Sequence, residues 1–114
     1  MLKKISLALL VVLMTANMAF AAGKTITFAS DATWPPMEFL DANKKLVGFS
    51  VDLLNAMGKA AGFTPDIKNT AWDGIFAGLA AGKYQVVSSS VSITDERKAT
   101  MDFSDPYYEV QQAI

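Results

Sequence analysis

Between Thr25 and Val91 the chain alternates β-rich runs with two stretches of helical apolar spacing, each closed by a glycine. In the first stretch Leu53, Ala56, Met57, Ala60 and Ala61 fall at i, i+3, i+4, i+7 and i+8 and share one apolar face. Ser50 suits the N-cap of that helix and Gly62 its stop. Trp72, Ile75, Phe76, Leu79 and Ala80 repeat the spacing, and Gly82 ends the second helix. "KTITFAS" predicts a strand over Thr25–Ala29, "TPDIKNT" a second, and "YQVVSSSV" a third that dissolves into serines. The order β-α-β-α-β with connections of a few residues constrains the fold strongly. Successive strands joined through helices run parallel, with the helices on the faces of the sheet. The predicted class is therefore α/β with a parallel sheet.

The first residues stand apart from this pattern. "MLKKISLALLVVLMTANMAFAA" places Lys3 and Lys4 before an apolar run from Ile5 to Met14, and Ala19-Phe20-Ala21 fits an A-x-A cleavage site. Residues 1–21 are read as a cleavable signal peptide whose apolar run is too short to span a bilayer. The absence of cysteine removes both a disulfide framework and a lipid-bearing residue, so the expected location is free in the periplasm. Beyond the leader, 8 basic residues face 11 acidic ones, a balance that argues against nucleic acid as a partner. With neither histidine nor cysteine, no metal site is expected, and no cofactor. The final "VQQAI" carries no cap, turn or polar tail, so the sequence is expected to be a fragment that stops within an element.

In a parallel sheet ligands sit beyond the carboxyl ends of the strands. Three loops leave those ends, one carrying Asp31 and Trp34, one Trp72, and one running from Ser88 to Arg97. Each residue has an ordinary reading beside the functional one. Trp72 heads an apolar stripe and could be core. Trp34, between a threonine and two prolines, lies off any amphipathic pattern, which favours a binding role. Asp31 could cap a turn, and Ser90 and Ser92 could close a strand end. Arg97 is the one arginine in the chain, and its planar fork can grip a carboxylate with two parallel hydrogen bonds. It could equally pair with Asp95, Glu96 or Asp102 on a solvated turn that Thr94 caps. On residues alone these alternatives stay open.

Four blocks, "DATWPPMEF", "GFSVDLLNAM", "WDGIFAGLAAGKY" and "SITDERKATMDFSDPYY", together resemble the amino-acid-binding family of periplasmic solute-binding proteins that serve ABC importers. The resemblance spans almost the whole chain after the leader. It implies that residues 22–108 are the first part of lobe one of a periplasmic-binding-protein-like fold, with residues 109–114 starting the crossing toward a second lobe. It also implies that Arg97 grips the ligand's α-carboxylate with help from Ser92, and that a backbone carbonyl of Ser90 lies near the α-ammonium. Trp34 and Trp72 would sandwich the ligand side chain, and Asp31 would meet its polar end. Trp34, Met37 and Ser50 depart from the family's usual tyrosine or phenylalanine, phenylalanine, and aspartate.

The implied protein is not an enzyme and has no catalytic residue. It is expected to be a monomer that captures a free amino acid and docks on an ABC permease. Two indoles and Asp31 favour arginine, lysine or glutamine over glutamate, aspartate or leucine. The resemblance leaves two alternatives that share this lobe: the ligand-sensing ectodomain of a membrane receptor, and a periplasmic dehydratase of the same fold.

Overall fold

A computed structural model describes residues 23–111. The leader expected over residues 1–21 lies outside them, as do the last three residues of the expected crossing. The chain runs β1 (Lys24–Ser30), β2 (Thr33–Trp34), β3 (Glu38–Leu40), β4 (Leu46–Val47), α1 (Phe49–Ala61), β5 (Phe63–Asn69), α2 (Ile75–Ala80), β6 (Val86–Val87) and α3 (Asp95–Lys98). The three predicted strands form a parallel sheet in the order β5-β1-β6, as the alternation with helices requires. Strand β1 lies in the centre, with Lys24 opposite Phe63 and Ser30 opposite Asn69 on one side. On the other side only Phe28 and Ala29 pair, with Val86 and Val87.

Helix α1 corrects the sequence reading in two respects. Its N-cap is Gly48, and Ser50 lies one residue inside the helix with its hydroxyl bonded elsewhere. The buried face is Ser50, Leu54 and Gly58, spaced four apart, while Ala56, Met57, Ala60 and Ala61 are exposed. Gly58 explains the shift. A Cβ there would meet the Phe63 carbonyl and the Pro65 ring, so its absence lets α1 lie close against β5.

Helix α2 begins at Ile75, three residues after Trp72, because Gly74 holds a left-handed φ of 83° that a helix excludes. It ends as predicted. Gly82 turns left-handed, its N–H bonds the Leu79 carbonyl at 3.0 Å, and Lys83 N–H bonds the Gly78 carbonyl at 3.0 Å. Ile75, Ala29 and Tyr84 form the buried cluster, with Phe76, Leu79 and Val87 packed against it. The Tyr84 hydroxyl donates to the Ile75 carbonyl at 2.5 Å, which leaves no buried polar atom idle there.

The segment expected as an irregular loop is more ordered than its two prolines suggest. Strand β2 ends before the cis Pro35–Pro36 bond, and β3 starts two residues after it. With β4 they form a small antiparallel sheet in which Trp34 faces Glu38 and Phe39 faces Val47. Asp41 closes the solvated β3–β4 turn, its carboxylate accepting from the N–H groups of Asn43 and Lys45.

Candidate functional site

The carboxyl end of β1 is the centre of the site. Asp31 follows the last residue of that strand and is buried. Its backbone N–H donates to the Ser89 hydroxyl at 2.8 Å, and its Oδ2 accepts from the Trp72 N–H at 2.8 Å. One residue thus binds both neighbouring loops, the one after β5 and the one after β6. The adjacent Ala32 N–H donates to Asn69 Oδ1 at 3.2 Å, a further tie to the end of β5. The second oxygen of Asp31 carries no hydrogen bond among the described residues.

The short helix α3 delivers the arginine. Thr94 caps it as predicted, its hydroxyl accepting from the Arg97 N–H at 3.2 Å, with Asp95 and Glu96 in the first turn where the helix dipole favours acids. From there the guanidinium folds back. Nη1 donates to the Ser92 carbonyl at 2.9 Å, and Cζ stands 5.7 Å from the Trp72 ring and 5.2 Å from the Phe76 ring. Both distances fall within the range of cation–π attraction. Among the described residues Arg97 forms no ion pair, and the two salt bridges there join Lys68 to Asp66 and Lys98 to Asp95. The surface pairing with Asp95, Glu96 or Asp102 is therefore not the arrangement found. A half-buried cation held by a carbonyl and two rings, without a carboxylate, keeps most of its donors for an anion from outside.

Trp72 is not a core residue: it is 37% exposed, and its ring meets Phe76 edge-on at 5.1 Å and 78°. The structure thus brings Asp31, Trp72, Ser92 and Arg97 into one connected set. Trp34 is 60% exposed on β2 and makes no ring contact to that set. Ser90 is exposed and adopts φ 49°, a left-handed conformation uncommon for serine. An outlier of this kind persists where its surroundings enforce it.

Two residues at the site escaped the sequence reading. Ser89 was hidden in "SSS", although period-two alternation places it on the same side as Val87, which packs against the core. Phe76 belongs to the predicted apolar stripe and packs against the core; nothing in its spacing tells that the ring also meets a guanidinium. Among the described residues no group of three acidic, histidine or cysteine side chains could hold a metal ion.

The carboxyl end of the parallel sheet thus carries a pre-held arginine and exposed indoles on its loops, which is where α/β sheets of this kind bind ligands. Comparison with known proteins gives the family. The chain belongs to the bacterial extracellular solute-binding proteins, family 3, which it matches over residues 26–114. It is 47% identical over 92 residues to a probable histidine-binding protein of Neisseria gonorrhoeae, covering 81% of this chain and 34% of that protein. It is 37% identical over 108 residues to the ABC transporter arginine-binding protein 1 of Escherichia coli, covering 95% and 44%. Among solved structures, an ancestral arginine-binding protein bound to glutamine matches with a TM-score of 0.72 and 46% identity, over 75% of this chain and 38% of that one. The chain therefore spans between 34% and 44% of the length of these relatives. They are amino-acid-binding proteins, and the expected family and α/β fold are both found.

Proposed function

We propose that this chain contributes one wall of a cleft that captures a free amino acid outside the cytoplasmic membrane for an ABC importer. The observation that carries the reading is Arg97, held by the Ser92 carbonyl and two aromatic rings with no acidic partner among the described residues. An arginine so placed presents its remaining N–H groups to a carboxylate. The Ser92 hydroxyl and N–H assist, since its carbonyl is already used by Arg97. The Ser90 carbonyl lies toward the ammonium group. Trp34 and Trp72 flank the side chain, and the second oxygen of Asp31 meets its polar end.

Residues 1–21 serve as the leader, residues 22–108 as the first part of lobe one, and residues 109–114 as the start of the crossing. The role is binding, with no catalytic step. Asp31 is the only acid in the proposed set, and its Oδ2 is engaged by a backbone N–H. The whole protein acts as a monomer that closes around its ligand and then meets the permease.

We further propose arginine, lysine or glutamine as the ligand. A flat or cationic head suits indole faces and an acceptor at Asp31, whereas a side-chain carboxylate would be repelled by Asp31. The relatives named for arginine and histidine, and the arginine-binding neighbour holding glutamine, support that class. Calorimetric titration of the product of the complete open reading frame with the common amino acids tests the proposal. Arginine, lysine or glutamine should bind at least tenfold tighter than glutamate, aspartate or leucine. Glutamate or leucine binding as tightly as arginine and glutamine overturns the ligand class.

A further inference from the structure

The Phe76 ring is the nearer of the two faces over the guanidinium, at 5.2 Å against 5.7 Å for Trp72. It also meets Trp72 edge-on at 5.1 Å, so the two rings support one another. The two aromatics are anchored differently. Trp72 sits on a loop, tied through its backbone to Asp31. Phe76 is the second residue of α2, beside the wholly buried Ile75, and packs against the cluster of Ala29, Ile75 and Tyr84. Its position is fixed by the core, and it touches the guanidinium from that fixed position. One hydrogen bond, from Nη1 to the Ser92 carbonyl, fixes a single corner of the planar group and leaves the plane free to tilt. A second contact, to a ring whose own position is fixed, limits that freedom, because cation–π attraction falls away as the cation leaves the ring face.

We propose that Phe76 is a positioning residue for the Arg97 fork: it transmits the rigidity of the core to the group that receives the ligand's carboxylate. The inference rests on the reading of Arg97 as the carboxylate clamp. It adds that affinity depends on a side chain that need never touch the ligand, since a fork held in plane loses less freedom on binding.

The test is a double-mutant cycle on the product of the complete open reading frame, read by calorimetric titration with L-glutamine and L-arginine. Phe76→Leu keeps apolar bulk and removes the π face, and should weaken binding roughly 3- to 10-fold. Phe76→Tyr keeps the face and should stay within about twofold of the native protein. In an Arg97→Lys background there is no plane to hold, so the Phe76→Leu penalty should shrink to within about 1.5-fold. Undiminished loss in that background overturns the inference, as does Phe76→Tyr binding no better than Phe76→Leu. Thermal melts separate folding from positioning, because a loss explained by unfolding would track the melting temperature across all four variants and would also count against the proposal. Arg97→Lys alone reads the clamp. If it binds like the native protein, the clamp reading falls and this inference with it. If it loses affinity while Phe76→Leu does not, only the inference falls.

Discussion

Arg97→Lys keeps the charge at the proposed clamp and removes its geometry. In the structure the guanidinium uses one of its five N–H donors on the Ser92 carbonyl, and no acid among the described residues claims the others. A lysine ammonium is a compact point charge with no fork to match two carboxylate oxygens. It can still make one charge-assisted bond, so the expected loss is that of the second bond and of the fixed orientation. Hydrogen bonds to charged groups contribute about 1.5–3 kcal/mol each, which corresponds to roughly a 10- to 150-fold weakening. The residue lies on a four-residue helix at the surface and belongs to no buried cluster, so stability should move by about 0.5 kcal/mol or less. Calorimetric titration with arginine and glutamine, paired with a chemical denaturation curve, measures both quantities. Affinity within twofold of the native protein would refute the clamp, whatever the melt shows.

Four further substitutions probe the supports of the site. Asp31→Ala leaves the Trp72 N–H without its acceptor and frees the loop after β5, so denaturation should show a loss of about 1–3 kcal/mol. Asp31→Asn, which can still accept that bond, should retain most of the stability while lowering affinity for arginine more than for glutamine; equal losses for both ligands would remove Asp31 from the side-chain end of the pocket. Glu38 is wholly buried, its Oε2 accepting from the Ser50 hydroxyl at 2.6 Å and its Oε1 without a partner, so Ser50→Ala should cost about 1–3 kcal/mol by stranding the carboxylate. Gly48→Ala should destabilise by at least about 1–3 kcal/mol, because φ there is 122° and a Cβ would strike the Met37 carbonyl; an unchanged denaturation midpoint would show that the backbone relaxes around it.

The parallel sheet was legible because its signal is redundant: strand runs, helical spacing and glycine stops agree on one order of elements. The phase of α1 was not. Alanine at positions 56, 60 and 61 imitates an apolar stripe, whereas the buried face contains Ser50 and Gly58, which no hydrophobic count selects. Ser50 faces inward because Glu38 needs a donor, and Gly58 because β5 lies too close for a side chain. Both reasons are tertiary. The small sheet of β2, β3 and β4 was missed because its strands have two or three residues, below the length at which alternation can be read. At the site, residue types told what each loop could offer. They could not tell that one oxygen of Asp31 would be engaged by Trp72, nor that Arg97 would rest on a ring from the core. Those facts depend on how segments 41 residues apart in the first case, and at positions 76 and 97 in the second, come to lie side by side.

Asp31 bonds to the loop carrying Trp72 and to the loop carrying Ser89, so those two segments and the end of β1 move as one tile. Trp34 is mounted elsewhere, on a hairpin whose partner residue Glu38 is fastened to the first turn of α1 through Ser50. Trp34 and Arg97 are therefore built on different supports, whereas Asp31 and Trp72 share the arginine's. A lineage can exchange the aromatic at position 34, narrowing or widening the pocket, without re-aiming the arginine on the other mount. Substitutions at 34 and at 97 should accordingly combine close to additively, as sites without shared partners do. Under the proposed reading, one wall of the pocket can then change while the grip on the ligand's carboxylate stays in place.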